Sequence, residues 1–308
     1  MTPYHVSATS HWPNYLPEYI AVANGYFADE GLEFSRDAPD DWTGVLRSLA
    51  DGSAQAVLGG LWVPAMYHGR GHDFVAFAQL NARNPKAIVT REPQPDFQLA
   101  DLKSKLVLAP GAGGTAPYMH TAGLIRQAGI DLSDIRFIRD LSGQTLSDLF
   151  AGGMGDAIIV DLVNAHLLEH KGLGTIAYRH AEAGGAMPNS VYYTLPHLIG
   201  EPDSAPWQFT RAMQRALNWM NDHDGRDCTD LLTRYWPQLP LDVLIESVDD
   251  LKRSGIWTDV RIDPDGFDSW MRILAGEWLI DQPLSYRDIV HPGPADAALE
   301  AVSSTARV

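Results

Sequence analysis

Between Tyr4 and Leu195 the chain alternates short apolar runs of strand length with amphipathic stretches of helical period. This rhythm constrains the fold more than any other feature, because strands of this kind are buried in a sheet only if helices cover it. Strands are expected at Tyr4-Val6, Leu32-Ser35, Ala54-Leu58 and Phe74-Leu80, with helices from about Tyr15 to Tyr26, over Thr43-Ala50 and around Val63-Tyr67. A second series begins near Asn84. Its strands are Lys86-Thr90, Leu106-Ala109, Ile135-Ile138, Ala157-Val160 and Thr175-Tyr178, and Val191-Leu195 resumes strand character. Between them lie a helical turn at Leu99-Lys103, a helix running from a Gly-rich loop to Ala128, and helices over Gln144-Phe150 and Leu162-His170. Beyond Ala205 the spacing of Trp207, Met213, Leu217 and Met220 predicts helix, and the Ala/Ser-rich tail from Pro292 is expected to be loosely held.

Composition excludes several classes. The 308 residues suffice for one large two-lobed unit or two ordinary domains. Thirty-nine acidic residues against 23 basic ones leave a net charge of −16, which argues against nucleic acid or an anionic membrane surface as the main partner. A small anionic ligand is still compatible, since a local site can be positive. No segment approaches the roughly 18 continuous apolar residues that span a bilayer, so membrane insertion is not expected. Met1 to Ser10 carries no Lys or Arg and is broken by His5, Ser7, Thr9 and Ser10. As written the chain reads as cytoplasmic, or as a periplasmic or extracellular chain whose leader has been removed. The one cysteine, Cys228, has no partner for an internal disulfide, and Asp227 and Asp230 beside it oppose thiolate formation.

The run Leu16-Pro-Glu-Tyr-Ile-Ala-Val-Ala-Asn-Gly-Tyr-Phe-Ala-Asp-Glu-Gly-Leu32-Glu-Phe resembles the opening of type II periplasmic substrate-binding proteins. The branch is the one that takes thiamine pyrimidine precursors, sulfonates and nitrate. Leu46-Val57, Leu99-Val107, Ala128-Ile135 and Leu149-Ala157 follow in the order of the same family, so the resemblance covers roughly residues 4 to 195. It implies an α/β, two-lobed type II periplasmic-binding-protein fold, each lobe a mixed sheet flanked by helices, with a helical C-terminal region. Crossovers are expected near Asn81-Lys86 and Ala183-Ser190. Lobe 1 then comprises residues 1–83 and 189–308, and lobe 2, residues 84–188, is inserted within it. Two enzyme relatives of this fold rely on a pyridoxal-binding lysine or a cysteine after the first strand. Here Val57-His68 holds no lysine and Asn14 or Tyr15 stands where the cysteine would, so no cofactor is expected.

The loop His11-Trp12-Pro13-Asn14-Tyr15 follows the first strand, where ligands of open α/β sheets collect. Trp12 and Tyr15 suit stacking on a ring, and His11 and Asn14 supply hydrogen bonds; alternatively the two aromatics cover the helix start. Gly113, Gly114 and Thr115 precede a helix whose free N–H groups suit a carboxylate, sulfonate or phosphate, or form an ordinary turn. Trp62, after Gly60, reads as a stacking wall or a core residue. Asn81 and Arg83 lie near the first crossover and Asn189 near the second. Asp161 is either an acceptor for a ligand amine or hydroxyl, or the cap of the following helix. His166-Leu-Leu-Glu169-His170 fits the pattern of inverted zinc peptidases, but no further ligand can be assigned and no metal site is expected. The chain is expected to be a solute-binding protein that closes on a small anionic or heteroaromatic ligand for an importer, with an ABC-type permease as partner. The alternative is an enzyme on the same fold, with His11 and Arg83 as its acid–base or electrostatic groups.

Overall fold

The computed structural model describes residues 1–111, 116–139 and 141–305. Among them, β-branched and aromatic runs form ten strands. In chain order these are β1 (Thr2–Ala8), β2 (Leu32–Asp37), β3 (Ala56–Gly60), β4 (Val75–Asn81), β5 (Lys86–Thr90), β6 (Leu106–Leu108), β7 (Arg136–Ile138), β8 (Ala157–Asp161), β9 (Thr175–Arg179) and β10 (Ser190–Thr194). They make two five-stranded sheets, in the orders β2-β1-β3-β10-β4 and β7-β6-β8-β5-β9. Each sheet starts from parallel strands joined through helices and then admits one strand of opposite direction. β10 runs antiparallel to β3 and β4, and β5 antiparallel to β8 and β9. The chain leaves the first sheet after Asn81 and returns to it at Ser190. Both reversed strands therefore begin at the end of the sheet where the parallel strands finish, and the two passages lie side by side: Met187 N–H donates to Ala82 O and Asn189 N–H to Asn81 O.

Apolar side chains of alternate strand positions and of the covering helices fill the interior. Behind the first sheet Phe27, Phe34, Tyr4, Tyr192 and Phe77 surround Phe209 of the helix Ala205–Asp222, with ring centroids 4.0 to 6.4 Å apart. Each ring buried in this way contributes about 1.5–3 kcal/mol. The helix expected from Tyr15 to Tyr26 is broken. It runs Leu16–Ala23 and ends where Gly25 turns left-handed (φ +72°), before a short helix Tyr26–Asp29. The tail corrects a second expectation. Gly293–Thr305 is a helix, and Ala295 and Ala298 are buried in its contact with Ala205–Asp222. Small side chains there permit close helix approach, so an Ala-rich composition is a packing face.

One charged cluster ties the C-terminal helices to the second sheet. Asp250 of the helix Leu241–Arg253 is fully buried and accepts from His166 Nε2 at 2.8 Å, Arg179 Nε at 2.9 Å and Arg253 Nη2 at 3.1 Å. Burial alone raises its pKa. The His166 hydrogen bond and the Arg179 charge outweigh that and hold it at about 2. His170 lies 3.5 Å from Asp242 of the same helix. Both histidines of the zinc-like motif thus face carboxylates of a neighbouring helix. Among the described residues no group of three or more His, Cys, Asp or Glu is placed to hold a metal ion. Cys228 is buried, and burial followed by Asp227 pushes its thiol up to about 12.

Candidate functional site

The strand directions decide where the cleft forms. Where β1, β3 and β8 end, the chain turns into helices, and where β5 and β10 begin, it enters from the crossovers. All five points converge on one cavity of about 420 Å³ between the two sheets. From β1 come Thr9, Ser10 and Trp12. Pro13 and Asn14 then wind a single 3₁₀ turn that delivers Tyr15 to the same wall. From β3 comes Gly60, followed by Trp62 at the start of the helix Trp62–Tyr67. A methyl group added at Gly60 would lie 2.2 Å from Trp62 Nε1, so the indole lies where any larger residue would collide with it. From the second sheet come Lys86 at the start of β5 and Asp161 at the end of β8, directly opposite each other in the antiparallel register.

Trp12, Asn14, Tyr15, Gly60, Trp62, Asp161 and Asn189 line this cavity. Trp12 Nε1 donates to Asp161 Oδ1 at 2.7 Å, a hydrogen bond from the loop after β1 to the end of β8 that spans the cleft. Asp161 also caps its own helix, Leu162–His170, accepting from Asn164 N–H at 3.0 Å, and its Oδ2 takes Asn164 Nδ2 at 2.7 Å. Tyr15 is buried with its hydroxyl 3.4 Å from Thr9 Oγ1, and burial raises its pKa. Asn189 Nδ2 and Asn81 Nδ2 both reach Ser190 Oγ, at 3.1 and 3.2 Å. Asn81 therefore stands one layer behind the cavity wall and positions Ser190, which lines it.

The structure takes two expected residues elsewhere. His11 turns away from the cavity: Nδ1 meets the Tyr19 hydroxyl, Nε2 the Tyr235 carbonyl at 3.1 Å, and its ring stacks on Trp236 at 5.4 Å. Trp12, next to it, has an extended backbone (φ −140°, ψ 154°), in which successive side chains point to opposite sides. Arg83 donates from Nη1 to Ala181 O at 2.9 Å and passes Gly255, so its charge serves the crossover. Gly113, Gly114 and Thr115 lie outside the described residues.

Several lining residues escaped sequence reasoning. Lys86 looked like the first residue of a strand, and its place at the cleft depends on β5 running against β8. Trp270 comes from the helix Pro264–Gly276, far along the chain, and no local pattern marks it. Thr9 and Ser10 adjoin the loop already singled out and were within reach of that argument. Behind Trp270 lies a buried polar pair. Asn84 Nδ2 and His120 Nδ1 are 2.8 Å apart, Thr121 Oγ1 and His180 Nε2 are 2.8 Å apart, and the His120 ring packs edge-on against Trp270 at 5.7 Å. Burial lowers the His120 pKa to about 4; burial and then the His120 charge lower that of His180 to about 3, so both rings are neutral at physiological pH.

Two mixed α/β sheets, each completed by one antiparallel strand after a crossover and sharing a cleft at their strand ends, define the class: the type II periplasmic-binding-protein fold. The periplasmic aliphatic sulphonate binding protein SsuA from Escherichia coli matches it with a TM-score of 0.72, over 95% of this chain and 93% of that one, at 16% identity. The family follows from sequence. The model described as NMT1/THI5 like matches residues 12–226, more than half of the chain, and the protein belongs to that family. YtlA of Bacillus subtilis, a candidate binding protein by name, is 27% identical over 260 residues, covering 82% of this chain and 76% of its own. The formylaminopyrimidine-binding protein of Halalkalibacterium halodurans is 25% identical over 286 residues, covering 88% and 83%.

Proposed function

We propose that this protein is the solute-binding component of an importer, holding one small molecule between two lobes and passing it on unchanged. The lobes are residues 1–83 with 189–308, and residues 84–188. The observation that carries this reading is the cleft itself: aromatic rings from one sheet face polar side chains from the other, and Trp12 reaches Asp161 across it. A cavity of about 420 Å³ has the size of a ligand pocket for a single-ring metabolite. The family membership and the relatives' names support the same reading, together with a permease partner and a place on the uptake side of a membrane. Among the described residues no helix is long and apolar enough to cross a membrane.

An enzymatic reading loses its candidates, because His11 and Arg83 are committed outside the cavity. The ligand screen that tests the proposal is a thermal-shift panel of sulfonates, small carboxylates, pyrimidines and amines, with mass-spectrometric recovery of each hit. A ligand that binds only the folded form raises Tm by mass action. Recovery of the stabilising compound intact upholds the proposal. Recovery of a converted product, or no stabilisation by any member of the panel, refutes it.

A further inference from the structure

The two histidines of His166-Leu-Leu-Glu169-His170 take no part in the cleft, and the carboxylates they meet have a spacing of their own. Asp242, Glu246 and Asp250 recur every four residues along the helix Leu241–Arg253, so all three lie on one face. His166 and His170, also four apart, face them from the helix Leu162–His170, and the order of the pairs makes the two helices antiparallel. His170 Nδ1 is 3.5 Å from Asp242, His166 Nδ1 is 3.7 Å from Glu246, and His166 Nε2 is 2.8 Å from Asp250. The row runs from solvent into the interior. Asp242 and Glu246 are exposed, and exposed pairs contribute little. Asp250 and His166 are buried, and Arg179 of the edge strand β9 reaches the same carboxylate at 2.9 Å. Removing one partner there leaves a buried charge uncompensated, so the inner end carries the strength of this seam.

All of these pairs join residues 189–308 to residues 84–188, the two lobes proposed above. A second seam joins the same lobes. The helix Pro264–Gly276 lies along the helix Ala116–Gln127, where a methyl group at Gly123 would come 2.7 Å from Ile273 Cγ2 and Arg126 Nε donates to Glu277 Oε1 at 2.8 Å. Arg126 is exposed, so that ion pair is the weaker tie. Both seams start at the cleft, since Asp161 caps Leu162–His170 and Trp270 belongs to Pro264–Gly276. Taking the lobe boundaries of the binding-protein reading but no ligand, we propose that the cluster of Asp250, His166 and Arg179 is a latch between the lobes. All its partners are groups of the chain, so it holds the lobes together before any solute arrives. Lobe separation is then a distinct event, in which Asp250 leaves His166 and Arg179. A charged cluster suits that role better than an apolar seam, because on separation each ion regains its hydration and part of the lost pairing is offset.

The test cuts the first seam and reads the second. Ile273→Cys places a thiol beneath Gly123, where a thiol reagent reaches it only when the helices part. Cys228 is buried with its thiol pushed up to about 12, so wild type sets a low background. Labelling is followed in the full chain without ligand, over a range of low urea concentrations. Adding Asp250→Asn is expected to speed labelling of the introduced thiol at least about tenfold. That rate is expected to depend little on urea, because lobe separation exposes far less surface than unfolding. Arg126→Gln, which cuts an exposed ion pair in the very seam being read, is expected to speed labelling less than about fivefold. Should Asp250→Asn not fold, Arg179→Gln removes a partner that is 26% exposed and is expected to act in the same direction. An unchanged rate in the folded variants overturns the proposal. So does an acceleration with the urea dependence of global unfolding, which would make the cluster an ordinary part of the core, and so does an Arg126→Gln effect as large as that of Asp250→Asn. No ligand enters this experiment, so these outcomes leave the binding-protein reading standing, and the ligand panel alone decides that reading.

Discussion

Acidification from pH 7.5 to pH 5 is the perturbation that the buried histidine pair makes quantitative. His120 and His180 sit 5.8 Å apart by ring centroid, with Asn84, Thr121, Tyr178 and Trp270 against them and the Lys86 charge nearby. Their pKa values in the folded protein are about 4 and about 3, where an unfolded histidine titrates near 6.5. The folded state therefore refuses protons that the unfolded state takes up. Stability is whole above about pH 6.5 and falls as pH drops below it, until the folded values are reached. At pH 5 the unfolded chain has gained both protons and the folded one neither, which costs about 2 kcal/mol per histidine and about 4 kcal/mol for the pair. That figure depends little on the folded values once both lie below 5, and it is a large share of an ordinary domain stability. Glu18 works in the opposite sense, since burial raises its pKa against the pull of Arg36. The measurement is therefore a difference: urea unfolding of wild type and of His120→Gln/His180→Gln at both pH values, with the m-value constant. The double variant is expected to lose about 4 kcal/mol less than wild type over this interval. Equal losses in the two proteins refute the argument that these rings are buried and neutral.

Three further expectations test the cleft and its surroundings. Gly60→Ala places a methyl group 2.2 Å from Trp62 Nε1, so the indole must leave the wall; ligand affinity by calorimetry is expected to fall about tenfold, the equivalent of modest overpacking. Trp12→Phe keeps a ring in place and removes the bond to Asp161; a hydrogen bond to a carboxylate is worth about 1.5–3 kcal/mol, so Tm without ligand is expected to fall by several degrees, read by calorimetry, and an unchanged Tm would show that the bond adds nothing to the free protein. Trp278 is 91% exposed and holds a left-handed backbone (φ +64°) after the helix Pro264–Gly276, a position suited to glycine. Trp278→Gly is expected to stabilise the protein by about 1 kcal/mol and raise Tm by about 2 °C, read by calorimetry.

Which residues form strands and helices was largely a local matter, and the chain alone determined it. Alternating apolar runs, the helix Leu162–His170 and the strand Lys86–Thr90 follow from side-chain periodicity and from glycines at the joins, which act over a few residues. The loop after β1 was legible for the same reason, since ligands gather where parallel strands end. Direction and pairing are not local. Lys86 became a cleft residue only because β5 enters its sheet backwards and sets it against Asp161, and Ser190 only because β10 does the same beside Gly60. His11 and Trp12 are neighbours in sequence, yet the extended backbone there sends one to Tyr19 and Trp236 and the other across the cleft. The Ala-rich tail looked loose because small side chains carry little hydrophobic signal, and it became a helix once Ala205–Asp222 offered a face that such side chains fit closely. Sequence thus determined the elements, while tertiary structure decided which charges meet, because burial and register bring together side chains that no spacing along the chain relates.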